Sequence, residues 1–264
     1  IFMLRGISKY LRYIYKTKTV WWYTASAKTR ARYIRTYLGS LWLGISNLLL
    51  VAVLGFVYGV VFKAENFKEY YIYLGLGFSI WNTIGGSLNN APNIFTDNSS
   101  SLMNTNINPL FFVLEEWCFE IQTFLQSIAM VIIFLGILDS QIFINLIYIP
   151  IHFVNLIIFI FWAPLIICLL AARYTDIYQM VPILTQLIFL MSPILYPEKN
   201  LGKLSFIANF NPIYKILALF RDSIIEGKLF FKESLLLLIL NLGMFFISLL
   251  LLNKYKKRLV FYFS

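Results

Sequence analysis

Residues able to do bond-making chemistry are few in this 264-residue chain, and they stand apart from one another. Glu115, Glu116 and Glu120 form the densest acidic group, and Glu116 and Glu120 are spaced i, i+4 and so share a helix face. Carboxylates so placed could relay a proton, or hold a metal for a membrane-embedded transferase. No Lys, Arg or His lies near them in sequence. Capping and solvation near a helix N-terminus, where the helix dipole favours negative charge, accounts for them better. His152, the single histidine, lies in an apolar run and reads as a packed residue rather than a ligand. Cys118 and Cys168 sit in apolar sequence at no metal or redox spacing and read as small buried residues. There is no H-x-x-x-H pair, no G-x-S-x-G elbow and no G-x-x-x-x-G-K-[ST] phosphate loop. Gly202-Lys203 lacks both the upstream glycine and the following Ser or Thr. No catalytic residue and no metal site is therefore expected, and the chain is not expected to bind and hydrolyse ATP itself.

What surrounds these residues explains their scarcity. Apolar residues make up 60% of the chain, aromatics 18% and charged residues 13%. A soluble domain carries roughly twice that share of charge. Mean hydropathy is +0.76. This composition excludes a disordered chain, a nucleic-acid-binding basic domain and a disulfide scaffold. It disfavours a soluble enzyme, which needs polar surface to cover its core. An integral membrane protein is expected.

A charge near the bilayer centre costs at least about 2.5 kcal/mol, so uncharged runs locate the spans. Six runs qualify: 36–62, 70–96, 121–138, 140–172, 177–197 and 234–253. The run at 98–114 is too polar in its first half. Spans are expected at about 41–62, 70–91, 118–138, 146–172, 177–197 and 234–253, giving an all-α, six-helix membrane fold. An even number puts both termini on one side. With the N-terminus inside, 14 basic residues face inward and 8 outward, and the first 40 residues hold nine basic and no acidic ones. The positive-inside rule then places both termini in the cytoplasm. No cleavable signal peptide is expected, because the first 30 residues lack an apolar core and a small-residue cleavage site.

The segments outside the spans have distinct characters. Residues 1–35 are basic and aromatic, with Trp21, Trp22 and Tyr23, as suits an amphipathic helix in the inner headgroup region. The span region runs over 36–258, and 259–264 is a cytoplasmic tail. The inner loop 92–108 is polar and has no Lys or Arg, with a short helix capped by Thr96 or Asp97 expected there. Such a loop is a surface for a cytoplasmic partner, or a plain connector. In the outer segment after the fifth span, Asn211-Pro212 opens an amphipathic helical pattern: Ile213, Ile216, Leu217, Phe220 and Ile224. Gly227 can end it, and Lys215, Arg221, Asp222 and Glu226 make it too charged to span. It should lie at the outer surface or dip in and return. Among the aromatics, Tyr58 and Phe62 share a face near the outer end of the first span, and Phe189 and Tyr196 share one on the fifth. Aromatic faces along a pathway would suit the C–H-rich face of a sugar.

Three stretches are specific enough to name a family. Arg32-Tyr33-Ile34-Arg35-Thr36-Tyr37-Leu38-Gly39-Ser40-Leu41-Trp42 resembles the basic lead into the first span of polysaccharide ABC exporter permeases, in the ABC-2 type family. Arg173-Tyr174-Thr175-Asp176, with Ser192-Pro193-Ile194-Leu195-Tyr196-Pro197 further on, resembles their fourth-to-fifth span segment. Asn211-Pro212-Ile213-Tyr214 to Phe220-Arg221 resembles their outer re-entrant segment. The nearest patterns are permeases for lipid-linked O-antigen, teichoic acid and capsule. One departure from the family pattern stands before the third span, where Asn108-Pro109-Leu110 leads to Glu115-Glu116-Trp117.

The resemblance implies a homodimer in the bacterial inner membrane that works with two ABC ATPase subunits. The ATPases would bind ATP and Mg; this chain would carry no cofactor, no catalytic residue and no nucleic acid. The substrate would be a lipid-linked polysaccharide, with membrane lipids around the dimer. The N-terminal helix and the loop with Pro92, Asp97, Asn98 and Ser99 would contact the ATPases. Tyr58, Phe62, Phe189 and Tyr196 would line the exit. Two other readings stay open: a permease of the same fold for a drug or small lipid, and a stand-alone flippase or transferase using Glu115 and Glu116.

Overall fold

The computed structural model describes residues 2–61, 66–105 and 107–263, and among these every regular element is a helix. In chain order the α-helices are α1 (Phe2–Lys16), α2 (Lys18–Tyr33), α3 (Leu41–Val61), α4 (Phe67–Asn90), α5 (Asn93–Thr96), α6 (Ser99–Asn104), α7 (Leu110–Leu138), α8 (Gln141–Asn145), α9 (Ile149–Ala171), α10 (Ile177–Met191), α11 (Ser205–Phe210), α12 (Pro212–Glu226) and α13 (Phe231–Phe263). Among the described residues, four stretches are long and apolar enough to cross a membrane: Leu41–Val61, Leu110–Leu138, Gln141–Ala171 and Phe231–Lys256. α10 is apolar but only 15 residues long. α4 has 24 residues and is more polar, and it is the central rod, packed against α3, α7, α9, α10 and α12.

Side-chain contacts fix the helix directions. α3 and α4 run antiparallel, since Asn47 donates to Ser79 at 2.9 Å while Tyr71 donates to the Ala52 carbonyl at 3.1 Å. α4 and α7 are also antiparallel: Asn90 meets Glu120 at one end and Lys68 meets Asp139 at the other, 3.2 Å away. The backbone N–H of Gln141, and then Lys68, hold the Asp139 carboxyl below the usual carboxylate range. α9 and α13 run parallel, with Asn155 donating to the Ser234 carbonyl at 3.1 Å and Trp162 to Asn241 at 3.0 Å. Interhelical amide and hydroxyl contacts of this kind hold helices together where no hydrophobic force separates them from lipid. The two terminal helices meet at one end of the bundle, where Tyr10 of α1 reaches Asn253 of α13 at 3.4 Å. That end also carries α2 and is called the α2 end here; the opposite end carries α12.

Several boundaries differ from the sequence reading. Where one amphipathic helix is expected over 1–35, the described residues form two, α1 and α2, parted at Thr17 and pinned by the Trp21 indole N–H on the Ile14 carbonyl at 3.2 Å. α1 is the amphipathic one, with Tyr10 buried and Lys9 and Arg12 outward; α2 packs on α7 through Ala25 and Thr29. In the 92–108 loop, the helix after Asp97 is preceded by Asn98 rather than capped by Thr96 or Asp97. The Asn98 amide bonds backward, to the Ile94 carbonyl at 2.8 Å. α7 begins at Leu110, so Glu115 and Glu116 lie in its second turn. α10 stops at Met191, six residues before the expected 197. Ser192 takes extended backbone (ψ 136°) because the residue before a proline is disfavoured in the helical region. α13 continues through the expected tail to Phe263.

Candidate functional site

The α2 end holds a polar cleft of about 630 Å³ between α2, the end of α4, α5 and α7. Lys28 and Arg32 form one wall, Asn90, Asp97 and Asn98 a second, and Glu115 and Glu116 a third. The cation that the acidic group lacks in local sequence comes from α2. Lys28 is ion-paired with Glu116, and its ammonium also sits 5.0 Å from the Phe119 ring centroid. Glu120 lies deeper, 7% exposed, and accepts a hydrogen bond from Asn90 at 3.1 Å. A buried carboxylate needs such a donor. The three glutamates are thus divided: Glu116 ties α2 to α7, Glu120 ties α4 to α7, and Glu115 is half-buried on the cleft wall. Among the described residues no group of three His, Cys, Asp or Glu gathers as a metal site.

The loop beside this cleft is anchored, not loose. Ala91, Ile94 and Phe95 are buried with Leu110 and Leu114 of α7 and Leu165 of α9. The Thr96 hydroxyl is hydrogen-bonded to the Tyr178 hydroxyl in the first turn of α10. Asn93, Thr96 and Asp97 present themselves to solvent, Asn98 and Ser99 are half-buried, and Pro92 is buried. Pro92 therefore orients the loop and has no free face for a partner. The structure does join this loop to four elements at once: α4 by chain, α7 and α9 by packing, and α10 by the Thr96–Tyr178 bond.

The α12 end is built around a buried charge. Asn211 caps α12, its side chain accepting from the N–H of Ile213 at 3.0 Å and Tyr214 at 3.2 Å. Such a cap satisfies donors that a helix N-terminus leaves free. Its amide donates to Ser192 at 3.0 Å, joining α12 to the end of α10. Nearly three turns on, Arg221 is 2% exposed. Its guanidinium donates to Asp222 at 2.7 Å, the Pro193 carbonyl at 3.1 Å and the Tyr214 hydroxyl at 3.3 Å. It also stacks 3.8 Å from the Tyr73 ring centroid. Tyr73 donates to the Pro193 carbonyl at 2.7 Å and Tyr70 to the Leu195 carbonyl at 2.5 Å. The turn 192–197 thus exposes its carbonyls to α4 and α12 instead of continuing a helix. α12 ends at Gly227, whose left-handed φ of 62° suits glycine.

The sequence-selected aromatics are dispersed by this geometry. Phe189 turns onto α4, its ring centroid 5.4 Å from Trp81 and 6.4 Å from Phe78. Tyr196 lies in the turn beyond α10, with its hydroxyl donating to the Leu190 carbonyl at 3.1 Å. Phe189 and Tyr196 therefore do not share a helix face, because the helix that would align them ends first. Tyr58 is at the same end, beside Tyr70; Phe62 lies outside the described residues. Of the motif residues, Pro193, Asn211, Pro212 and Arg221 converge, and Pro197 accepts the Asn200 N–H at 2.9 Å. Gly39 is left-handed in the turn before α3, Trp42 is in the first turn of α3, and Arg35 is exposed. Arg173 lies 5.0 Å from the Tyr174 ring, and Asp176 immediately precedes α10. His152 is buried beside Ser234 at 3.3 Å. Sequence reading missed Tyr70, Tyr73 and Lys28. The tyrosines carried a signal, standing at i, i+3 near the start of a span.

Residues 21–225 match the family model described as ABC-2 type transporter. Two curated proteins of Klebsiella pneumoniae, each named O-antigen export system permease protein RfbA, are 24% and 25% identical to the chain. Each alignment runs over 231 residues, covering 87% of this chain and 89% of the relative.

Proposed function

The chain belongs to the ABC-2 type transporter family, and on that premise we propose that it is the membrane subunit of an ATP-driven exporter of a lipid-linked polysaccharide of the O-antigen kind. It is a multi-pass membrane protein; α3, α4, α7, α9, α10 and α13 are its six crossings in this reading. Their alternating directions support that, and so does the meeting of both terminal helices at the α2 end. The basic N-terminal region then puts that end in the cytoplasm of a cell whose inner membrane holds the protein. Two ABC ATPase subunits, binding ATP and Mg, dock there, and two copies of this chain enclose the path. The apolar outer faces of α3 (Leu49, Leu50, Val53, Phe56) and α10 (Ile183, Leu184, Leu187, Leu190) are exposed in the single chain and available for that pairing. The names of the two relatives are what favours O-antigen over a drug or small lipid.

One observation carries the coupling: the exposed α5 loop is wired to α10 through Thr96 and Tyr178 and packed against α7 and α9. A push on Asp97 from below reaches several crossings together. The ATPase should co-purify with the chain, and its ATP turnover should rise on pairing. Asp97→Lys should weaken both, while leaving the chain in the membrane. Glycan export by the purified chain with no ATPase present would overturn the proposal.

A further inference from the structure

α2 divides two cavities of opposite character. One face turns to the polar cleft described above. The other, with the turn before α3 and one side of α7, bounds a groove of about 690 Å³. Its lining is mostly apolar, with Trp22, Ile34 and Leu125, and Arg30 is the one charged residue among the described residues that line it. No acidic residue among the described residues lines it. Within it the side chains of Arg30, Tyr33, Ser40 and Gln126 have no hydrogen-bond or ionic partner among the described residues. The Gln126 side-chain N–H2 in particular has two donors and no acceptor among the described residues.

Depth along the bundle orders these groups. Ser40 directly precedes α3. Ser127, next to Gln126, receives a hydrogen bond from Asn47, six residues into α3 and so about 9 Å beyond its start. The Thr29 hydroxyl, next to Arg30, meets Gln122 on α7, so Arg30 stands about one helical turn, roughly 5 Å, nearer the α2 end than Gln126. We propose that this groove binds one anionic glycerophospholipid, its phosphate on Arg30 and its ester carbonyls accepting from the Gln126 side-chain N–H2. Tyr33 and Ser40 supply further hydroxyl donors to the headgroup. An acyl chain lies along Leu125 and Ile34. A single guanidinium matches a phosphodiester with one negative charge; a pyrophosphate-linked carrier brings more charge and has no ester carbonyl for Gln126. The bound lipid fills the gap between α2 and α7 and so braces the interfacial helix. The site is independent of what the protein transports.

The test uses the full chain purified in mild detergent and titrated with phosphatidylglycerol, with bound lipid counted by native mass spectrometry. One phosphatidylglycerol per chain should be retained in preference to phosphatidylcholine. Arg30→Gln should weaken retention about fivefold, the effect of one basic residue at an anionic membrane surface. Gln126→Leu, which changes no charge, should weaken it by a similar factor, about that of one hydrogen bond. Arg30→Lys should keep most of it, and Arg12→Gln, a matched change on the exposed face of α1, should leave it unchanged. Equal retention in Arg30→Gln, Gln126→Leu and wild type would overturn the site. So would equal retention of phosphatidylcholine. Displacement of phosphatidylglycerol by a polyprenyl pyrophosphate at equal concentration would overturn the assignment to a bilayer lipid, giving the groove to the carrier of the substrate instead.

Discussion

The Arg221–Asp222 pair should respond asymmetrically to loss of either partner. Arg221 is 2% exposed, whereas the Asp222 side chain is 32% exposed. Removing the acid leaves a guanidinium buried with its counter-charge gone, a class of change that costs about 3–5 kcal/mol. Two features reduce it here. The Asp222 carboxylate is partly in water, so some of its attraction is already screened. Arg221 also keeps Pro193, Tyr214 and the Tyr73 ring. Asp222→Asn should therefore cost about 2–3 kcal/mol. Arg221→Met removes a cation–π contact worth about 2 kcal/mol when desolvated, but it also removes the cost of burying the charge. The groups it leaves behind are not stranded. The Pro193 carbonyl still accepts from Tyr73, and Asp222 can turn to solvent. Replacing a buried charge by a well-packed apolar side chain is close to neutral, so Arg221→Met should cost about 1 kcal/mol or less. Equilibrium unfolding in mixed micelles, on both single variants and the double, measures the difference. Arg221→Met proving the more costly of the two would refute this reasoning. The contacts of the guanidinium, and not its counter-charge, would then hold the α12 end.

Three further outcomes follow from the same geometry. Lys28→Ala should change stability by less than about 1 kcal/mol, because the Lys28–Glu116 pair is half in solvent. ATP turnover by the assembled complex should nevertheless fall in Lys28→Glu and recover when Glu116→Lys is added. Asn90→Ala should cost about 1–3 kcal/mol by leaving buried Glu120 without its donor, and Glu120→Leu in that background should restore most of it in a thermal unfolding assay. Gly227→Ala should cost about 1–2 kcal/mol, since an L-residue resists the left-handed backbone and its Cβ would lie 2.8 Å from the Asn145 amide oxygen. Hydrogen exchange in the last turn of α12 should quicken in that variant.

What was legible in the sequence was whatever a local rule controls. Absence of charge marks the runs that carry α3, α4, α7, α9, α10 and α13, because charge in lipid is costly wherever it sits. α12 is readable from both ends, as Asn211 and Gly227 act on their own neighbours through cap hydrogen bonds and backbone sterics. The illegible parts depend on partners far along the chain. Glu116 seemed to lack a cation because its lysine lies 88 positions away, on a helix that sequence merges with the one before it. The stop of α10 was hidden for a related reason. An uncharged run measures apolar length, and 192–197 is apolar without being helical. Its carbonyls are taken by Tyr70, Tyr73 and Arg221, and that compensation is visible only once α4 and α12 are beside it.

That compensation also decides how the two ends of the molecule communicate. α10 is held at its first turn by Thr96 of the α5 loop and just past its last turn by Asn211 and Arg221 of α12. Its long side is packed on α4, and the face left exposed in the single chain is the one assigned above to the second copy. A rod gripped at both tips and packed along its length transmits displacement better than it absorbs it, because close packing yields little. Motion imposed on α5 should therefore appear at the 192–197 turn rather than dissipate in the bundle. Tyr178→Phe removes the first grip and leaves the ring and the second grip in place. A spectroscopic label at Leu195 should then lose its response to ATP on the partner, while one on α9 at Val154, reached by a different route, should keep it. Equal loss at both labels would mean that the bundle moves as one body and that α10 has no separate role.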